Sequence, residues 1–160
     1  MPNILIKKNH FKQENKASCV PAAARIVLNY LGVKIDSEAY LRKILKTRIT
    51  GTNIFNLGYL KDEKQWDVDV RSELGTLAEL ERLLKNSKAP VIVLVDTLFL
   101  DYWDTSTAHV LVVVGYDDDN IIVNDPFFEN QEIKIPKTIF IQAWSVFQNL
   151  MVIINKKQEN

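Results

Sequence analysis

The apolar residues of this chain change their spacing near its middle, and that change limits the fold more than any other feature. Before about residue 88 they recur at helical intervals. Ala22, Ala23, Ile26, Val27, Tyr30 and Leu31 mark one face of a helix over Ser18–Leu31. Ser18 is its N-cap, Pro21 falls in the first turn where a missing N–H costs nothing, and Gly32 is its stop. Asp36 can cap a second helix, Ser37–Lys46, and Thr52 or Asn53 a third, Ile54–Gln65. Thr76-x-x-Glu79 is a capping box that opens a fourth helix, running to about Asn86. Short strands are expected at Ile4–Ile6 and Val68–Arg71. Beyond residue 88 the runs Pro90–Val95, His109–Tyr116, Ile121–Asn124 and Gln131–Ile135 are rich in Val and Ile and read as strands. Pro136 opens a helix to about Ala143, and Leu150–Ile154 is a closing strand. Helices followed by antiparallel strands define an α+β fold. A single domain over 1–160 is expected, with a helical lobe of about 13–88, a sheet lobe of about 89–155 and a cleft between them.

Charge and length exclude several function classes. Lys plus Arg number 20 and so do Asp plus Glu, so no basic nucleic-acid surface is indicated. The longest apolar runs, Ala89–Val95 and Val110–Gly115, fall far short of the roughly 20 residues that span a bilayer, so no membrane insertion is expected. The segment MPNILIKKNH lacks the apolar stretch of a signal peptide, which makes the cytoplasm the expected location. One cysteine and two histidines form neither a disulfide nor a convincing zinc site, so no metal is expected.

The lone cysteine is nevertheless well placed for chemistry. Cys19 stands at the first turn of the first long helix, where free N–H groups and the helix dipole favour a thiolate. A nucleophilic thiol needs a base and a group that orients the base. His10 lies in a polar stretch and is expected to face solvent, whereas His109 opens an apolar strand. Asp125 ends the next strand and would sit directly opposite His109 if the intervening turn were centred on Asp117. A tight turn at Asp118–Asp119 would break that alignment, so an odd loop or a bulge is required. Asn124 would point to the other face. The Cys19 N–H and the Gln13 side-chain amide are candidate donors to an oxyanion.

The ordered set Gln13, Cys19, His109 and Asp125 resembles the papain-like cysteine peptidases. The stretch from Gln13-Glu-Asn-Lys-Ala-Ser-Cys-Val-Pro to Gly32, with His109-Val-Leu-Val-Val-Val-Gly-Tyr116 and Ile122-Val-Asn-Asp-Pro126, is most similar to the bacteriocin-processing, or double-glycine, peptidases and their stand-alone relatives. The resemblance runs from about Lys12 to Ile154. It implies a papain-like fold in which Cys19 attacks, His109 moves the proton, Asp125 orients the ring and Gln13 helps hold the oxyanion. It implies a peptide or protein substrate and no cofactor. Ser18 and Val20 stand where that family often carries an acidic residue and a glycine, which leaves the leader-peptide substrate open. A glutamine deamidase or transglutaminase-like reaction would use the same groups, and an idle peptide-binding domain would keep them unused. Asp101, Tyr102 and Trp103, shortly before His109, are candidates for substrate contact. Trp66 and Trp144 are expected in the core, and Asp117–Asp119 in a solvated turn.

Overall fold

In a computed structural model the described residues are 2–157. The strands are β1 (Ile4–Leu5), β2 (Val68–Leu74), β3 (Val91–Asp96), β4 (Ala108–Tyr116), β5 (Asn120–Asn124), β6 (Ile133–Pro136) and β7 (Leu150–Lys156). They form one antiparallel sheet in the order β2-β7-β3-β4-β5-β6, with β1 added to β4. The helices are α1 (Cys19–Tyr30), α2 (Ala39–Ile44), α3 (Leu77–Ser87) and α4 (Lys137–Ser145). Val110, Val112 and Val114 point from β4 toward the α1 side, into a core with Ile26, Leu28 and Leu57. Leu111 and Val113 point the other way, into a core with Leu80, Leu84, Phe140 and Trp144. Both faces of the sheet are therefore covered, and this explains why its central strands are continuous apolar runs rather than alternating ones.

The order of helices and strands agrees with the α+β reading, but the halves interleave in space. β2 forms the edge strand beside β7, and α3 packs with α4 on the face away from α1. Ile54–Gln65 folds as two 3-10 segments, Ile54–Asp62 and Lys64–Trp66, rather than as an α-helix. Its buried residues Ile54, Leu57 and Leu60 repeat every third position, which matches three residues per turn. β6 begins two residues later than the expected Gln131. Trp144 is buried and donates from Nε1 to the Leu150 carbonyl, whereas Trp66 is only half-buried, edge-on to Tyr40. Asp117 caps its turn by accepting from the N–H groups of Asp119 and Asn120.

Two local features position the site. α1 ends in a Schellman motif: Gly32, at φ +91°, donates to Asn29 O, and Val33 donates to Leu28 O. The helix is thereby anchored at its far end with Cys19 as its first residue. At Gly115 a Cβ would stand 2.2 Å from the Ile4 carbonyl oxygen, so only glycine lets β1 lie on β4. Gly115→Val is expected to detach β1 and to speed hydrogen exchange at the Ile6 N–H, which bonds Val114 O. Unchanged protection there would show that β1 is held by something else.

Candidate functional site

Register decides whether His109 and Asp125 can meet. The β4–β5 turn is tight: Asp117 N–H bonds Asn120 O, and Tyr116 pairs Ile121. Continued without interruption, that register would put Asp125 across from Val112, on the face opposite to His109. A bulge intervenes, because Val113 pairs Val123 whereas Gly115 pairs Ile122, leaving Val114 as the extra residue. One step past Asn124, Asp125 then lies across from Leu111, which shares its face with His109. The two are diagonal neighbours, not directly opposite as the sequence suggested, and His109 Nε2 lies 2.6 Å from Asp125 Oδ1. Asn124 turns away to accept from the Glu132 N–H.

The pair is enclosed: the Asp125 side chain is 0% exposed and that of His109 4%. Asp125 Oδ1 also accepts from the Phe127 N–H at 2.9 Å. Oδ2 accepts from the Tyr102 hydroxyl at 3.0 Å and from Trp103 Nε1 at 2.9 Å. Burial alone would push the Asp125 carboxyl up. The bond and charge of His109, with the Phe127 and Trp103 donors, outweigh it and hold the carboxyl below the usual range. Burial likewise opposes charge on His109, yet the bonds to Asp125 and Cys19 raise the imidazole to about 9. With Nε2 committed to Asp125, Nδ1 is the nitrogen left for the Cys19 thiol. Trp103 also packs against the His109 ring, tilted by 56° with centroids 4.7 Å apart, which shields the pair from water.

Every acceptor position on Asp125 is taken by a donor, so an amide cannot replace it quietly. In Asp125→Asn the NH2 group must face either the Phe127 N–H or the Trp103 N–H, neither of which can accept. We expect this variant to lose about 1–3 kcal/mol, the cost of an unsatisfied buried donor, in urea unfolding. A loss under half of that would mean the carboxylate is not required for the hydrogen bonding.

Cys19 and His109 both line a cleft of about 750 Å³ with Gln13, Val20, Leu94 and Trp103. The Cys19 N–H has no hydrogen-bond partner among the described residues and is free to donate. Gln13 is buried beside it, but its Nε2 donates to the carbonyls of Asn15 at 2.8 Å and Lys16 at 3.1 Å, while Oε1 has no partner among the described residues. Of the three residues considered for substrate contact, Trp103 lines the cleft, while Asp101 and Tyr102 do not. His10 is half-buried, not solvent-facing, with Nε2 2.7 Å from Phe128 O.

One group went unread in the sequence. Glu38, just before α2, is 1% exposed. Its Oε1 accepts from Ser18 Oγ and the Glu14 N–H, each at 2.5 Å, and from Arg42 at 2.9 Å. Ser18 thus spends its hydroxyl on this carboxylate and on Asn15 O instead of capping α1. The loop from Gln13 to Cys19 is tied to α2 by these bonds. The i, i+4 spacing of Glu38 and Arg42 is visible in the sequence, but the same spacing marks ordinary surface pairs.

A helix bringing a thiol to one end of an antiparallel sheet, beside a buried imidazole–carboxylate pair, defines a papain-like α+β domain. The Peptidase_C39 like family matches residues 6–152, and the chain belongs to it. An uncharacterized protein of Methanothermobacter marburgensis is 31% identical over 148 residues, covering 92% of this chain and 89% of that protein. The fold is also that of the peptidase domain of Streptococcus ComA, a bi-functional ABC transporter (TM-score 0.74, 22% identity, 95% and 100% of the two chains). It is shared by a double glycine motif protease from an AMS/PCAT transporter in complex with its leader peptide (TM-score 0.72, 18% identity, 97% and 96% covered). Among the described residues no helix is long and apolar enough to cross a membrane.

Proposed function

We propose that the chain is a cysteine peptidase acting on a peptide or protein substrate through Cys19, His109 and Asp125. The observation that carries this reading is the buried His109–Asp125 bond of 2.6 Å, which fixes the ring and leaves Nδ1 for the thiol. The Cys19 thiolate attacks the scissile carbonyl carbon, and its carbonyl oxygen gains the negative charge. The free Cys19 N–H donates to that oxygen. Gln13 joins it by releasing its longer bond, to Lys16 O, and turning one amide hydrogen into the cleft. The His109 imidazolium then protonates the leaving amine as the C–N bond breaks, leaving a thioester on Cys19. Water attacks the thioester, His109 takes its proton, and the acid product departs with the thiolate restored. Asp125 keeps its charge throughout and holds the ring. Membership of the family and the leader peptide bound to one structural neighbour support a peptide substrate.

The test is the rate of Cys19 alkylation by iodoacetamide as a function of pH. A His109 pKa raised to about 9 keeps the imidazolium beside the thiol through neutral pH and loses it as pH rises through 9. Rapid alkylation well below pH 8 in the wild type, lost in His109→Ala, supports the reading. Identical profiles for the two proteins would defeat it.

A further inference from the structure

Basic side chains predominate around the cleft, with the carboxylates of Glu14 and Glu38 paired to Arg42 and that of Asp125 to His109. Among the described residues its lining contains no Asp or Glu, and Lys16 is its one lysine or arginine. Lys16 also borders an adjoining depression that holds Arg42, Lys43 and Arg48 and again no carboxylate. A third depression shares Arg48, Gly51 and Thr52 and adds Lys46, still without an acid. Acidic and basic residues are equal in number in this chain, so such an excess of cations is a local arrangement and not a consequence of composition. Two of these cations have partners: Arg42 pairs with Glu38 and Glu14, and Lys46 lies over the Tyr59 ring. The side chains of Lys16, Lys43 and Arg48 are exposed, and among the described residues they have no ion pair or hydrogen bond. Between them the turn at Arg48–Gly51, closed by two backbone bonds, raises the fully exposed Ile49 at its tip.

We propose that this surface reads an acidic segment flanking the scissile bond, so that the preferred substrate is a peptide with an apolar stretch in the cleft and Asp or Glu beside it. The proposal rests on the peptidase reading above and names the substrate class for that site. Val20, Leu94 and Leu150 are among the apolar residues of the cleft; of the three unpaired cations Lys16 lines it, and Lys43 and Arg48 line the depression that adjoins it at Lys16. Exposed charges of this kind act over a Debye length of about 8–10 Å at moderate salt, enough to reach residues adjoining those in the cleft. The Asp125 carboxylate is buried and already satisfied, and that of Glu38, bonded to Ser18, is buried and paired with Arg42, so neither is exposed to repel such a substrate.

The test uses the full chain carrying Cys19→Ala, so that the peptide stays whole. Two fluorescein-labelled peptides share one apolar core; one is flanked by glutamates and the other by lysines. We expect the glutamate peptide to bind about tenfold more tightly at low salt, with the difference shrinking as ionic strength rises. Added Lys16→Glu and Arg48→Glu changes should reverse the order. Lys43→Glu with Arg48→Glu, which leaves the Gln13–Cys19 loop untouched, should at least abolish it. Circular dichroism checks that each variant is folded. Equal binding of the two peptides, binding of neither, or a preference that survives both charge reversals overturns the proposal. So does tighter binding of a single-stranded oligonucleotide. None of these outcomes bears on the alkylation experiment, which judges the cysteine peptidase reading separately.

Discussion

Cys19→Ala should abolish peptide cleavage, and His109→Ala should reduce it by about 10³-fold or more, with the fold intact in both. The size of the effect follows from the site. Cys19 is the sole thiol, and the neighbouring Ser18 hydroxyl is buried and bonded to Glu38 and to Asn15 O, so it does not stand in as nucleophile. His10, the other histidine, is directed at Phe128 O and does not line the cleft, so it cannot take over as base. Asp125→Ala should be milder, because the Trp103 ring still packs against His109 when the carboxylate is gone. The order Cys19, His109, Asp125 in severity is therefore the expected result of steady-state assays. Each variant is scored as kcat/KM on a peptide cleaved by the wild type. A His109→Ala protein that retained wild-type turnover would remove the imidazole from the mechanism.

Arg42→Ala should cost about 2–4 kcal/mol of stability, read from urea unfolding, and should lower the alkylation rate of Cys19 as well. Arg42 is the cation bonded to the buried Glu38 carboxylate, whose Oε2 already lacks a partner among the described residues. Removing the guanidinium leaves a negative charge in a site that is 1% exposed. We place the figure below the full cost of breaking a buried pair because Arg42 itself is 27% exposed and water can enter in its place. The same carboxylate bonds Ser18 and Glu14, so its displacement loosens the loop that carries Gln13 into α1. Glu38→Gln in the Arg42→Ala background should restore most of the stability, since a neutral amide oxygen still accepts from Ser18 and Glu14. Absence of that rescue would mean that Arg42 acts through packing and not through charge.

Much of the site was legible because each of its residues sits where local rules put it. Cys19 follows a helix N-terminus signal, His109 opens a run of strand formers, and Asp125 ends another, so their elements could be assigned without tertiary information. The helix end at Gly32 and the N-cap at Thr76 were equally local, and both form, although the Glu79 carboxylate accepts from the Thr76 hydroxyl and not from its backbone N–H. The cap at Asn53 forms, but it opens 3-10 segments and not the expected helix, because a cap signal marks where a helix begins and not which kind follows.

Other features depend on partners far away in the chain. The bulge at Val114 has no marker in its own residues; it is fixed where Gly115 meets the Ile4 carbonyl and where β5 pairs on the other side. That single extra residue turns Asp125 onto the face of His109. The burial of Glu38 follows from α2 packing over the Gln13–Cys19 loop, twenty residues distant from Ser18. Tyr102 and Trp103 read as cleft aromatics, yet both donate to Asp125, more than twenty residues further on. Sequence alone therefore determined which groups were available and on which elements they lay, since propensity, capping and periodicity act within a few residues. Only the tertiary structure decided their relative register, burial and ionisation, since these are set by neighbours that the chain brings together from a distance.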